Sequence, residues 1–241
     1  MLLYIVRHGA PDYATDSLLD EGRHQAELVA ARLKICGIDE IHASPMGRAR
    51  QTAQPLADAL GLDVVIEDWA HEIGEESATR YPDGKLKPVS FVHPAHFHQE
   101  KYRPLSTRQA FGEVDGFTDN AYRDRHAFVT AGLDGFLERL GYKRNAEGLY
   151  TIVAPNDRHV ALFCHGGMLR ILISHLFDIP VHLLAASLVA HFTGVTLISF
   201  GIGMDGGDIT APKLLTLGDI GHLYADGKPL RYAMAGEAFF F

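Results

Sequence analysis

Leu2–Val6 is an uninterrupted apolar run, and a run that short marks a strand covered on both faces. Residues 19–35 follow, with Leu19, His24, Leu28, Ala31 and Leu33 near helical spacing and Gly37 as a stop. Glu40–Ala43 predicts a second strand. Ser44-Pro45 reads as an N-cap with proline at the first helical position, opening a helix to about Leu60. Val64–Glu67 predicts a third strand. Strands alternating with helices predict a mostly parallel central sheet with helices on both faces, a three-layer α/β sandwich.

Residues 73–117 break that rhythm. They are rich in Pro, Gly, His and aromatic residues, lack a clear period, and read as an inserted cap in a single domain spanning 1–241. A helix over about Asp119–Leu140 follows, with Tyr122, His126, Val129, Leu133, Phe136 and Leu140 on one face. Leu149–Val153 and Val160–Cys164 read as strands around a turn at Asn156-Asp157. The second ends in His165-Gly166-Gly167, and a helix continues to about Phe177. Val195–Phe200 and Lys213–Leu217 are later strands joined by the glycine-rich turn 201–207. That turn lacks the Lys-Ser/Thr pair of a phosphate-binding loop.

The 241 residues are 47% hydrophobic, an ordinary globular composition. Cys36 and Cys164 fit no disulfide framework, which implies a reducing, cytoplasmic setting. No apolar run reaches membrane-spanning length, and the N-terminus lacks the pattern of a signal peptide. The net charge of −8 argues against a nucleic-acid or membrane-surface binder.

Candidate chemistry collects at strand ends and helix starts, where open α/β sheets place their sites. Arg7-His8 ends the first strand, Arg48 lies in the first turn of the next helix, Glu72 lies just beyond the third strand, and His165 ends a later strand. Two arginines, two histidines and a carboxylate suit a phosphoryl group. Guanidinium forks match phosphate oxygens, and the free N–H groups of Gly166 and Gly167 at a helix start add donors. A neutral imidazole can attack phosphorus, and a carboxylic acid can protonate a departing alkoxide.

These motifs resemble the histidine phosphatase superfamily, also called phosphoglycerate-mutase-like. Arg7-His8-Gly9 matches its Arg-His-Gly signature, and Arg48-Ala49-Arg50-Gln51-Thr52-Ala53 its Arg-Ala-x-Gln-Thr-Ala helix start. Leu18 to Ala26, Glu72 in His71-Glu72-Ile73, and His165-Gly166 fall where the family has related segments. The resemblance implies that His8 becomes phosphohistidine. It implies that Arg7, Arg48 and His165, with Gly166, bind the phosphoryl oxygens. It makes Glu72 the proton donor and then the base for water. It implies hydrolysis of a small phosphorylated metabolite with no metal or other cofactor, and it leaves the oligomeric state open.

Ala10-Pro11-Asp12-Tyr13 stands where the family's mutases have Glu-Ser-x-Trp-Asn, which favours a phosphatase over the alternative, a phosphoglycerate-mutase-type isomerase. Glu67, Glu75 and Glu76 compete with Glu72. Arg50 reads as a solvated helix residue. His93, His96 and His98 fit no familiar metal-ligand spacing. The stretch 80–108 carries Arg80, Lys85, Lys87, Lys101, Arg103 and Arg108 against Asp83 and Glu100. It reads as a solvated loop or as a recognition surface for an anionic substrate. Cys164 to Arg170 has the Cys-x5-Arg spacing of cysteine-dependent phosphatases, but Phe163 and Ile171 depart from their flanking residues. A non-catalytic phosphate-ligand binder is a further alternative, and it is disfavoured because the nucleophile and both arginines are present.

Overall fold

The computed structural model describes residues 1–73, 120–224 and 227, together with the short strands Ala78–Arg80, Leu86–Pro88, Ala233–Met234 and Glu237–Ala238. Six strands form the central sheet: β1 (Leu2–Arg7), β2 (Glu40–Ala43), β3 (Val64–Ile66), β4 (His159–Cys164), β5 (Val195–Phe200) and β6 (Pro212–Asp219). Their spatial order is β6-β5-β1-β4-β2-β3. The pairs β1–β4, β4–β2 and β2–β3 are parallel, and β5 and β6 are antiparallel.

Strand alternation builds two cores. Leu3 and Ile5 of β1, with Val160, Leu162 and Cys164 of β4, face α3 (Asn120–Arg139), α4 (Gly166–Phe177) and α5 (Val181–Ser187). Tyr4, Val6, Ala161 and Phe163 face α1 (Asp20–Lys34) and α2 (Gly47–Leu60). A side-chain period of two, with both sets apolar, is why β1 and β4 read as continuous apolar runs. Among the described residues no helix is long and apolar enough to cross a membrane.

The parallel register sets Arg7 opposite Cys164, so His8 and His165 follow as neighbours at the carboxyl edge. From that edge α1 lies on one face and α4 on the other. Two adjacent strand ends whose chains diverge to opposite faces open a crevice between them.

Several local expectations change. The buried face of α1 is Gly22, Ala26, Val29, Ala30 and Leu33, whereas Leu19 and Ala31 are exposed. Small residues let α1 approach its neighbours closely: a Cβ on Gly22 would stand 2.1 Å from the Ala10 carbonyl oxygen. In α3 the buried set includes Leu137, and His126 is half-buried. Tyr150–Ile152 belongs to a separate small sheet with Tyr142–Arg144 and Ile209–Thr210. Ser44 does not cap α2, which begins at Gly47 behind Met46. Of the inserted segment 73–117, Ile73 is described, and the strands Ala78–Arg80 and Leu86–Pro88 pair antiparallel. The rest, including Glu75, Glu76, His93, His96 and His98, lies outside the described residues.

Candidate active site

His8 is buried at the end of β1. Its Nδ1 lies 2.7 Å from the Gly9 carbonyl, which can only accept, so Nδ1 carries the proton and the Nε2 lone pair is left free. Burial, then the Arg7 and Arg48 charges, hold its pKa down to about 3 against the opposing pull of the Gly9 hydrogen bond. The ring is therefore neutral near neutral pH. Gly9 is needed for close approach: a Cβ there would stand 2.5 Å from the Gly22 carbonyl oxygen. The φ of Gly9 is not positive, so the close approach and not backbone freedom requires glycine here.

Arg7 leaves β1 toward α4. Its Nη1 donates to the Ala190 carbonyl, and its guanidinium carbon sits 4.2 Å above the Phe192 ring. Phe192 also flanks His8, with ring centroids 5.7 Å apart. A Cβ on Gly166 would stand 3.2 Å from Arg7 Nε, so a glycine at 166 leaves room for the arginine.

Arg48, in the first turn of α2, is buried and pairs with Asp16. The other carboxylate oxygen of Asp16 accepts the Gly47 amide at 2.6 Å, so this distant aspartate caps α2. Gln51 and Thr52 brace the neighbouring loop: Gln51 Oε1 accepts the Leu18 amide at 2.8 Å, and Thr52 Oγ1 accepts the Gly9 amide at 3.0 Å. Arg50 is exposed, as a solvated helix residue should be.

His165 lies beside His8, with ring centroids 5.2 Å apart. It is fully buried, and its Nε2 meets Ser44 Oγ at 2.7 Å. Burial and then the neighbouring His8 and Arg48 hold its pKa far below the ordinary value. His165 Nδ1, Arg7 Nε and Arg48 Nε are all buried and, among the described residues, without a hydrogen-bond partner.

Glu72 reaches the start of α4. Its Oε1 accepts the Ile73 and Met168 amides at 2.9 and 3.1 Å, and its Oε2 accepts the Gly167 amide at 3.4 Å. The helix start expected to bind phosphate is thus shared with a carboxylate, and the Gly167 amide is already engaged. Glu67 is occupied differently. Burial works to raise its pKa, but bonds from His42, Arg139 and Trp69 hold it down to about 2. That carboxylate is tied into the core and has no spare proton to give.

Cys164 is fully buried, and burial pushes its thiol pKa up. Residues from Gly166 onward are helical, so no phosphate-cradling loop lies between Cys164 and Arg170. Arg170 instead donates to the Leu188 carbonyl at 2.8 and 3.0 Å. Asp16, Ser44 and Phe192 are the residues at this site that sequence reasoning missed. Ser44 had been assigned to a helix cap, and nothing in the spacing of Asp16 or Phe192 points to the crevice. Tyr13 adds a shelf at the rim, its ring 5.5 Å from the Arg48 guanidinium carbon.

The depressed histidines make an acid-sensitive fold. His222 is also lowered, to about 4, by burial and then Arg32. Each of these groups binds its proton more readily in the unfolded chain, near pH 6.5. The stability they contribute is complete above that value and is lost as pH falls toward the folded pKa. We expect the denaturation midpoint to fall between about pH 6.5 and about pH 4.5. His222→Gln makes that slope shallower, and denaturant titration at each pH checks it.

The model of the histidine phosphatase superfamily (branch 1) matches residues 3–85, the segment that carries Arg7, His8, Arg48 and Glu72. Over that segment the chain is similar to the histidine phosphatase superfamily. A curated relative, a probable phosphoglycerate mutase GpmB of Yersinia pestis (strain Pestoides F), is 29% identical over 193 residues, covering 75% of this chain and 76% of the relative. A phosphoserine phosphatase mutant of Entamoeba histolytica, solved with phosphoserine, shares the fold at a TM-score of 0.60 and 19% identity, covering 92% of this chain and 98% of that one. A mycobacterial glucosyl-3-phosphoglycerate phosphatase solved with VO3 shares it at a TM-score of 0.56 and 23% identity, covering 90% and 98%.

Proposed function

We propose that this protein is a histidine phosphatase that hydrolyses phosphomonoesters of small metabolites through a phosphohistidine on His8. The observation that supports it is the group of buried nitrogens around His8 that have no hydrogen-bond partner among the described residues: Arg7 Nε, Arg48 Nε and His165 Nδ1. Such a set, contributed by three separate elements, matches the oxygens of a phosphoryl group.

In the first step His8 Nε2 forms the N–P bond while the ester P–O bond breaks, and Glu72 gives its proton to the departing oxygen. In the second, Glu72 takes a proton from water, the water oxygen forms a P–O bond, and the N–P bond breaks. His8 is then free and Glu72 is protonated again. Arg7, Arg48 and His165, with the Gly166 amide, hold the phosphoryl oxygens throughout. Phosphoryl transfer asks mainly for positioning and charge stabilisation, which this cationic set supplies.

Residues 73–117 are read as the inserted segment of a single domain and as the source of substrate specificity. The unpaired Cys36 and Cys164 support a reducing compartment. The GpmB relative favours a second reading, phosphoglycerate isomerisation. Against it, Ala10-Pro11-Asp12-Tyr13 replaces the mutase-type segment.

The test is a phosphate-release screen over phosphorylated metabolites and an aryl phosphate, run with and without EDTA. We expect release that persists under chelation, because the guanidinium groups of Arg7 and Arg48 supply the charge stabilisation that phosphoryl transfer needs. Activity that vanishes with EDTA and returns with added metal overturns the metal-free reading. Interconversion of phosphoglycerates without phosphate release favours the isomerase.

A further inference from the structure

We propose that Ser44 is a positioning residue that fixes the tautomer of His165, so that the neutral imidazole presents an N–H at Nδ1 toward the phosphoryl site. The kinetic part rests on the phosphohistidine reading; the tautomer itself does not.

The strand register brings the pair together. Ala43 of β2 lies opposite Phe163 of β4, and the Ser44 amide donates to the Phe163 carbonyl at 2.9 Å. Ser44 and His165 are both fully buried. Ser44 Oγ accepts the Met46 amide at 3.3 Å and stands 2.7 Å from His165 Nε2. A hydroxyl has one proton to give, and among the described residues Nε2 is the acceptor in reach. The serine proton therefore goes to Nε2, and the imidazole proton sits on Nδ1.

The opposite assignment fails on hydrogen-bond accounting. With a proton on Nε2, both the Met46 amide and the imidazole would donate to Oγ. The serine hydrogen would then be buried with no acceptor, a state proteins avoid. The consequence falls on the far side of the ring. Nδ1 is buried and, among the described residues, unpartnered, on a ring 5.2 Å from that of His8. An N–H there attracts a phosphoryl oxygen; a lone pair there repels it. Protonation is no substitute for the right tautomer, because burial and the nearby cations oppose a second proton on this ring.

The experiment is ¹⁵N-detected histidine NMR on the resting protein, followed by kinetics of Ser44→Ala and Ser44→Thr. In the unsubstituted protein we expect the His165 signals of a protonated Nδ1 and an accepting Nε2. Ser44→Ala should mix the tautomers and lower kcat/KM by about tenfold, a fraction of the loss of a whole oxyanion donor. Ser44→Thr, which keeps the hydroxyl, should restore both readouts. A proton on Nε2 of His165 in the unsubstituted protein overturns the proposal, whatever the threonine variant does. So does a Ser44→Ala protein with unchanged tautomer and unchanged rate. If His8→Ala still turns over substrate, the phosphohistidine reading fails while the NMR result stands on its own.

Discussion

His8→Ala is expected to lose turnover by at least about 10³-fold, because removing the proposed covalent nucleophile leaves only binding and electrostatic assistance. Cys164→Ala, by contrast, retains most of the activity. The contrast follows from environment. His8 is a neutral ring whose Nδ1–H is committed to Gly9, which leaves Nε2 as a ready nucleophile. Cys164 is a fully buried thiol on the strand face that packs against α3, α4 and α5. Burial keeps it protonated, and a thiol is a far poorer nucleophile than a thiolate. Steady-state rates on an aryl phosphate, with circular dichroism to confirm folding, check both variants. A folded Cys164→Ala protein without activity would defeat the histidine mechanism. Rapid quenching of the unsubstituted enzyme should also trap an acid-labile phosphoenzyme that His8→Ala cannot form.

Glu72→Gln is expected to slow alkyl phosphates far more than phosphates of acidic phenols. An alkoxide needs its proton in the transition state, whereas a phenolate departs unaided. General-acid assistance is worth about 10²–10⁴-fold, and most of it should vanish for the poor leaving group alone. The substitution is mild at the helix start, since a glutamine oxygen can still accept the Ile73 and Met168 amides that Oε1 accepts now. Its amide nitrogen would face the longer 3.4 Å contact from Gly167. In the proposed mechanism Glu72 is also the base of the second step, so the pre-steady-state burst of alcohol or phenol is the measurement that isolates the first. Equal burst losses for both substrate types would move the donor role elsewhere. Glu67 would not inherit it, because Arg139, Trp69 and His42 already hold that carboxylate in the core.

Much of the frame was legible in the chain because it depends on short-range chemistry. β1 and β4 announce themselves as apolar runs, and each ends where polar residues begin. A strand end of that kind puts Arg7, His8 and His165 at the carboxyl edge whatever lies around them. The existence of the helices that carry Arg48 and Gly166 follows from the same local punctuation, though the first begins at Gly47. Alternation of strand and helix was enough to name a mostly parallel sheet between two layers of helices.

Where local rules misled, a distant partner had the stronger claim. Ser44 followed by proline is a good cap by any local rule, yet its hydroxyl meets His165, 121 positions away in sequence. Asp16, from an unremarkable turn, supplies the cap to Gly47 instead. Gly167 reads as a free donor at the start of α4, but its amide meets Glu72. Gly9 is small because Gly22 of α1 passes beside it, a contact no local rule shows.

By itself the sequence determined the identity and order of the reactive groups and the elements that carry them, since periodicity and turn chemistry act over a few residues. Only the tertiary structure decided which groups meet. The register of β1, β4 and β2, set by their pairing across the sheet, brings His8, His165 and Ser44 to one level. The packing of α1 and α4 on opposite faces opens the crevice there. Burial, which no single segment encodes, keeps His8 neutral and Cys164 protonated, and bonds from His42, Trp69 and Arg139 hold Glu67 in the core.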